Sequence, residues 1–196
     1  MVWVSNMTDL DTVSLVAEVM NDVGVWWAVA GGWAIDLWLG EQTREHHDIE
    51  VVVCGRDQAE VRSALGDRWE LFCLDPPGSA WRPWSGALVA PAFQLQLRSP
   101  AIEFDIFTES ADQTVWHFRR DRRVTRPLSE VTTRPASGIP VVRPEIQLLY
   151  MAKAMEAKNV QDFDVARPRL DRDAASWLAD ALATTLPDHQ WLKALR

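Results

Sequence analysis

The sequence has few of the features that mark secreted, membrane-spanning or metal-binding proteins. It contains only two cysteines, Cys54 and Cys73, whose spacing matches no metal motif, so two reduced thiols are the simplest interpretation. No apolar run approaches the roughly 20 residues that cross a bilayer. The stretch Met1–Asn6 lacks the basic and apolar segments of a signal peptide. These absences predict a cytoplasmic protein without a membrane partner.

A basic excess is also missing. The formal net charge is -8 over 196 residues, whereas a nucleic-acid-binding protein needs a positive surface against phosphates. The charge therefore argues against nucleic acid as a partner and permits a small cationic ligand. Tryptophan, in contrast, is abundant, with 11 residues. We expect core or rim packing for most of them, and Trp81 and Trp84 are candidates for a pocket wall.

Hydrophobic spacing predicts an α+β fold, in which a mixed central β-sheet with flanking helices precedes a small helical subdomain. Residues 1–142 would form the mixed domain and residues 143–196 the helical subdomain. The predicted helices are Asp9–Asn21, Trp33–Leu39, Gln58–Leu65 and Glu145–Lys158, with further helices to the C-terminus, and the predicted strands are Val25–Ala30, Asp48–Val53, Trp69–Leu74, Phe93–Leu97 and Ile102–Phe107.

Carboxylates alternate with apolar residues on two of the predicted strands. Asp48 and Glu50 lie two residues apart, so they share one face of their strand. Glu103 and Asp105 repeat the pattern on a later strand. Ionised carboxylates at close range repel each other, and a divalent cation relieves that repulsion. Three hard oxygen ligands suit Mg²⁺, which also accepts oxygens from substrate phosphates.

Gly31 and Gly32 stand between a predicted strand and a predicted helix. Glycine allows the backbone to approach an anion closely, and a helix N-terminus offers N–H donors and a positive dipole end. This arrangement can cradle a phosphate. A glycine pair alone is usually only a turn. The more specific signal is the order along the chain, in which the glycine pair is followed by the Asp48–Glu50 strand and then by the Glu103–Asp105 strand.

That order resembles the polymerase β-type nucleotidyltransferase superfamily. Within it, the segments Gly31–Gly40 and Gln42–Glu50 are similar to the aminoglycoside-2''-adenylyltransferase and lincosamide nucleotidyltransferase group. Arg143–Lys153, followed by Asp162 and Phe163, is also similar to that group. The resemblance covers most of residues 10–186 and is vague from 55 to 140. It implies a nucleotidyltransferase domain over residues 1–142. One departure is Glu50, since the second carboxylate of the family's motif is more commonly Asp.

The resemblance also implies the roles of individual residues. Asp48, Glu50 and Asp105 would be both the catalytic residues and the ligands of Mg²⁺, with two ions expected. Asp105 would also take the proton from the attacking hydroxyl. The implied co-substrate is ATP or another NTP. The residues that would contact it are Gly31, Gly32, Arg44 and Lys153.

The implied reaction is the transfer of AMP, or of another nucleoside monophosphate, to a hydroxyl of a small molecule such as an aminoglycoside or a lincosamide. The alternatives are modification of a protein or tRNA, and a catalytically degenerate nucleotide-binding domain. A homodimer is implied by resemblance only. The arginine-rich segment Arg119–Arg126 would be a salt-bridging surface, which we expect, or it would bind a triphosphate or an anionic partner.

Overall fold

A computed structural model describes residues 9–196, so the segment Met1–Asn6, on which the prediction about a signal peptide rests, lies outside the described residues. The helices are α1 (Leu10–Val23), α2 (Gly31–Leu39), α3 (Gln58–Leu65), α4 (Pro144–Met151), α5 (Ala157–Ala166), α6 (Arg172–Thr185) and α7 (Leu192–Leu195). The strands are β1 (Trp27–Ala30), β2 (Glu50–Cys54), β3 (Glu70–Leu74), β4 (Arg82–Pro83), β5 (Gln94–Arg98), β6 (Glu103–Ala111), β7 (Val115–His117), β8 (Thr125–Pro127), β9 (Thr132–Thr133) and β10 (Val141–Val142).

The chain divides into two compact units. The first combines the residues through Val29 with Glu45–Ala111, and the second combines Ala30–Arg44 with Asp112–Arg196. The boundary between residues 142 and 143 stays a prediction. Within residues 9–196, no helix is long and apolar enough to cross a membrane.

The first unit is built on a mixed sheet with the strand order β4-β3-β5-β6-β2-β1. Strands β2 and β6 pair in parallel, whereas β6 with β5, β5 with β3 and β3 with β4 pair antiparallel. Helices α1 and α3 pack beside each other in the same unit. This arrangement confirms the predicted mixed sheet with flanking helices.

Burial alternates along the central strands of this sheet. Phe104 and Ile106 of β6 are buried, and Asp105 between them is partly exposed. On β5, Leu95 and Leu97 are completely buried. Because neighbouring side chains of a strand point to opposite faces, the apolar residues form the core on one face. The other face is left to the polar side chains of the same strands.

The second unit is mainly helical. Helix α4 contacts α2, α5 and α6, and its residues Ile146 and Leu148 are completely buried. Pro144 lies at the first position of α4, where a proline loses no helical hydrogen bond. Strands β7 with β8 and β9 with β10 form short antiparallel pairs in this unit. The predicted helical C-terminal region is therefore present.

One helix prediction is wrong. The segment Glu145–Lys158 does not form a single helix, since α4 ends at Met151 and α5 begins only at Ala157. The side chain of Asn159 donates a hydrogen bond to the Ala154 carbonyl at 2.7 Å, which satisfies a backbone acceptor in the connecting turn. Apolar spacing alone carries no information about such a side-chain contact.

We expect that the N-terminal cap of α6 contributes measurably to stability. The Asp171 carboxylate accepts a hydrogen bond from the backbone N–H of Ala174 at 2.8 Å. The substitution Asp171→Ala should lower the free energy of unfolding by about 1 kcal/mol, measured by urea denaturation. The exposed Asp180→Ala should change it by less than about 0.5 kcal/mol. Equal midpoints for the two variants would contradict the capping role.

Candidate active site

A row of facing residues crosses four strands of the first unit. Glu50 of β2 faces Asp105 of β6, Asp105 faces Gln96 of β5, and Gln96 faces Phe72 of β3. Facing residues of neighbouring strands point to the same side of the sheet. The Asp105 N–H donates to the Ile49 carbonyl at 2.9 Å, which fixes the register between β2 and β6. The parallel pairing therefore brings together two of the three carboxylates that the sequence predicts as catalytic.

Two side-chain amides hold the Asp105 carboxylate. Gln94 Nε2 donates to Oδ2 at 2.8 Å, and Gln96 Nε2 donates to Oδ1 at 3.0 Å. Burial raises the pKa of the Asp105 carboxyl above its usual range, and the two amide hydrogen bonds oppose this shift. The negative charges of Asp48 and Glu103 raise the pKa further. Asp48 and Asp105 therefore lie close enough for their charges to interact.

The three predicted metal ligands differ in exposure. Asp48 is exposed and comes two residues before the first residue of β2, whereas Glu50 and Asp105 are partly buried. Within residues 9–196, no group of three or more His, Cys, Asp or Glu side chains is spaced closely enough to hold a metal ion. The donor set nevertheless suits Mg²⁺, which needs only one or two carboxylates when water and substrate phosphates supply the remaining oxygens. The residues fit a metal site that is completed by substrate, and not a closed protein cage.

The glycine pair begins α2 in the second unit. The helix starts at Gly31 and not at Trp33, so the two glycines form its first turn and not a turn before it. Gly31 has a φ of 66°, a left-handed conformation that strains any residue with a side chain. The residue that precedes the helix, Ala30, provides no side-chain cap. The first N–H groups of α2 therefore have no side-chain acceptor from the cap position, which is the condition for anion binding at a helix N-terminus.

Arg44, a predicted nucleotide-binding residue, pairs with a buried carboxylate. Its Nε and Nη2 donate to the two oxygens of Asp162 on α5, at 2.7 and 2.8 Å, and the Asp162 side chain is completely buried. Nearby, Gln161 donates to the Thr43 carbonyl at 3.1 Å. The Thr43 hydroxyl in turn donates to the buried Asp36 of α2 at 2.6 Å. These bonds fasten the segment after α2 to α5, and a phosphate contact of Arg44 stays a prediction.

Removal of the Arg44 side chain should destabilise the protein strongly, because Asp162 would remain as a buried charge without its partner. We expect Arg44→Ala to lower the free energy of unfolding by about 3 to 5 kcal/mol in urea denaturation. The matched control is Arg56→Ala, since Arg56 pairs with Asp57 at 3.5 Å and its side chain is 42% exposed. This control should change stability by less than about 1 kcal/mol. A loss in Arg44→Ala that is as small as the one expected for this control would contradict a structural role of the Arg44–Asp162 pair.

Lys153 and the arginine-rich segment lie in the second unit. Lys153 is exposed, in the turn after α4 and not on the helix itself. Arg123 pairs with Asp121 at 2.6 Å, and Arg126 lies 2.5 Å from the completely buried Glu145. Arg119 and Arg120 approach the ring of Tyr150, at 5.1 and 5.4 Å between guanidinium carbon and ring centroid. These contacts favour the salt-bridging interpretation of the segment over a grip on a triphosphate.

Sequence reasoning missed the three polar residues of β5. Gln94, Gln96 and Arg98 alternate with buried leucines on this strand, and both glutamines contact Asp105. The signal was present in the sequence as strict alternation between polar and apolar residues over Gln94–Arg98. The sequence also predicts that the strands Phe93–Leu97 and Ile102–Phe107 pair through the turn Arg98–Ala101, and the structure confirms this antiparallel pairing. The spacing leaves open the register that sets Gln96 opposite Asp105, so it does not connect the glutamines to the carboxylate.

Comparison with known proteins gives a family match over part of the chain. The model of the aminoglycoside-2''-adenylyltransferase family matches residues 12–70, which is less than half of the sequence. This stretch includes the glycine pair, Asp48 and Glu50. No curated protein sequence matches the chain significantly.

Solved structures of antibiotic adenylyltransferases share the fold. The lincosamide antibiotic adenylyltransferase LnuA, determined with lincomycin bound, has a TM-score of 0.58 at 16% identity, covering 82% of this chain and 98% of that one. ANT(2'')-Ia in complex with adenylyl-2''-tobramycin has a TM-score of 0.59 at 14% identity, covering 89% and 98%. The chain therefore has a nucleotidyltransferase fold, and its predicted resemblance to the aminoglycoside-2''-adenylyltransferase and lincosamide nucleotidyltransferase group is confirmed.

Proposed function

We propose that the protein transfers a nucleoside monophosphate from an NTP, with ATP the expected donor, to a hydroxyl of a small molecule. The observation that carries this proposal is the pairing of Glu50 with Asp105 across β2 and β6, with Asp48 close enough to affect the Asp105 carboxyl. The family match and the shared fold support nucleotidyltransferase activity. The reaction would take place in the cytoplasm.

In the proposed reaction the acceptor oxygen forms a bond to the α-phosphorus of the NTP. The bond between that phosphorus and the oxygen that bridges to the β-phosphate breaks, and pyrophosphate leaves with the bond electrons. The hydroxyl proton moves to a carboxylate oxygen of Asp105. Each of these oxygens accepts one glutamine hydrogen bond and retains a second lone pair for the acceptor hydroxyl.

Asp48, Glu50 and Asp105 would hold Mg²⁺, with two ions proposed. Bound there, Mg²⁺ would neutralise charge on the phosphate oxygens and on the pyrophosphate leaving group. The exposure of the Asp48 side chain suits this role, because a nucleotide-bound ion can reach it. In the second unit, the proposed nucleotide contacts are the N–H groups of Gly31 and Gly32 and the cations of Arg44 and Lys153.

The acceptor is proposed to be a hydroxylated antibiotic of the aminoglycoside or lincosamide class. The structures with similar folds hold lincomycin in one case and an adenylylated tobramycin in the other. The net charge of -8 favours an acceptor with positively charged amino groups. Because the amino groups of nucleic-acid bases are uncharged at neutral pH and the backbone is negatively charged, the same reasoning disfavours nucleic acid as an acceptor.

Nucleotide binding can be measured before the acceptor is known. Calorimetric titration of a non-hydrolysable ATP analogue should show binding that requires Mg²⁺. Loss of one ligand carboxylate in Asp48→Ala should weaken this binding by about tenfold or more. The control is Glu60→Ala on the exposed side of α3, which should bind like the wild type. The same titration with a GTP analogue would establish the nucleotide preference. Failure of the folded wild type to bind either nucleotide would contradict the proposed function.

The role of Asp105 is tested by the transfer reaction itself. With ATP, Mg²⁺ and a panel of aminoglycosides and lincosamides, pyrophosphate release should depend on one class of acceptor. The substitution Asp105→Asn removes the base, and kcat should fall by about 10²- to 10⁴-fold. Circular dichroism should show that the variant remains folded. An unchanged kcat in Asp105→Asn would exclude this residue as the base.

A further inference from the structure

The polar face of β5 contains a chain of contacts that ends at Asp105. Arg98 Nε donates to Gln96 Oε1 at 2.7 Å, and Arg98 Nη2 donates to the same oxygen. Gln96 Nε2 then donates to Asp105 Oδ1 at 3.0 Å. Gln94, two residues earlier, donates to the other carboxylate oxygen at 2.8 Å. Three alternate residues of one strand thus act on a single carboxylate.

The direction of this chain follows from the chemistry of its first member. A guanidinium group has five N–H donors and no acceptor, so Arg98 can bond only to the oxygen of the Gln96 amide. With its oxygen held, the amide must present its NH₂ group to Asp105. A free glutamine could rotate its terminal amide by half a turn and present the oxygen instead, which would repel a carboxylate. Arg98 therefore sets the orientation of the Gln96 amide.

Arg98 is itself fixed by two further contacts. Its Nε lies 2.9 Å from the Glu103 carboxylate, in the residue that faces it on β6. Its guanidinium carbon lies 4.5 Å from the centroid of the Phe72 ring on β3. An ion pair on one side and a cation–π contact on the other restrict a side chain that would otherwise have many rotamers. Gln96, in turn, is 8% exposed, so little water competes for its hydrogen bonds.

We infer that Gln94 and Gln96 are positioning residues for Asp105, and that Arg98 acts one step further away by locking the Gln96 amide. Two hydrogen bonds to different oxygens fix the plane of the carboxylate, whereas one would leave it free to rotate. A fixed plane directs the remaining lone pairs towards one position for the acceptor hydroxyl. This inference rests on the proposed function for its catalytic consequence, and the geometry of the three residues stands without it.

The kinetic test uses variants that remove hydrogen bonds and keep side-chain volume. In Gln96→Met, kcat should fall by about tenfold to hundredfold, because a displacement of the reacting group by a fraction of an ångström has effects of this size. The KM for the NTP should change much less than kcat, since the glutamines do not bind nucleotide and Asp48 and Glu50 would still hold Mg²⁺. Arg98→Met should give a smaller fall in kcat, and Arg98→Lys should recover part of it, because lysine still donates to Gln96 Oε1. The exposed Gln113→Met is the matched control and should have wild-type kinetics.

A second readout needs no nucleotide and no acceptor. Two-dimensional ¹H–¹⁵N spectra of the free protein report the side-chain NH₂ groups of Gln94 and Gln96. In the wild type both should exchange slowly with water. In Arg98→Met the Gln96 signals should shift and exchange faster, while the Gln94 signals should change much less, because of the two glutamines only Gln96 contacts Arg98. A loss of overall folding would move both sets of signals, so it can be distinguished from the loss of the hydrogen bonds between Arg98 and Gln96.

The outcomes separate this inference from the proposed function. Unchanged Gln96 amide signals in Arg98→Met, or a wild-type kcat in Gln96→Met, would overturn the inference. A selective change in the Gln96 signals together with a fall in kcat supports it. If the wild type transfers no nucleotide at all and the Gln96 signals still change selectively, the proposed function fails and the locked amide remains as a structural property of the sheet.

Discussion

The parallel pairing of β2 with β6 is the constraint on which the candidate site depends. Sheet neighbours in this register place Glu50 opposite Asp105, and the bond from the Asp105 N–H to the Ile49 carbonyl fixes that register. A slip by one residue would turn Asp105 into the core and bring Ile106 to the polar face. The buried side chains on either side of Asp105 make such a slip costly, so the apolar core and the polar site enforce the same alignment.

The sequence predicts which side chains of one strand share a face. It does not predict which side chains of neighbouring strands come into contact. Alternation placed Glu103 with Asp105 on one face of β6, because the period of a strand is two residues. The same rule does not account for Asp48, since the predicted strand Asp48–Val53 begins only at Glu50. The glutamines of β5 follow the same rule, and the pairing of β5 with β6 is also predictable from the short turn between them. Their contact with Asp105 depends on the register of that pairing, which alternation does not determine. Helix ends were harder to predict still. The side chain of Asn159 marks the turn after α4, and no periodic pattern indicates such a contact.

Two of the predicted nucleotide contacts have a structural context that changes their interpretation. Arg44 belongs to an ion pair with the completely buried Asp162, so its substitution would destabilise the fold whether or not it binds nucleotide. Gly31 has a backbone conformation that only glycine adopts without strain, whether or not a phosphate binds there. At both positions, therefore, a loss of activity on substitution has to be separated from a loss of folded protein. The carboxylates on the sheet face carry the functional argument more directly.

The Arg44–Asp162 pair also constrains the order in which the chain can fold while it is synthesised. The two residues are 118 positions apart in sequence, so Arg44 leaves the ribosome long before its partner exists. At usual rates of translation the delay is on the order of ten seconds. Residues 45–111 of the first unit emerge during that interval and can pair their strands, whereas the segment 30–44 has to wait for α5. The order of synthesis thus favours formation of the sheet with its carboxylates first, and the glycine-containing helix α2 gains its partners only when nearly the whole chain has been made.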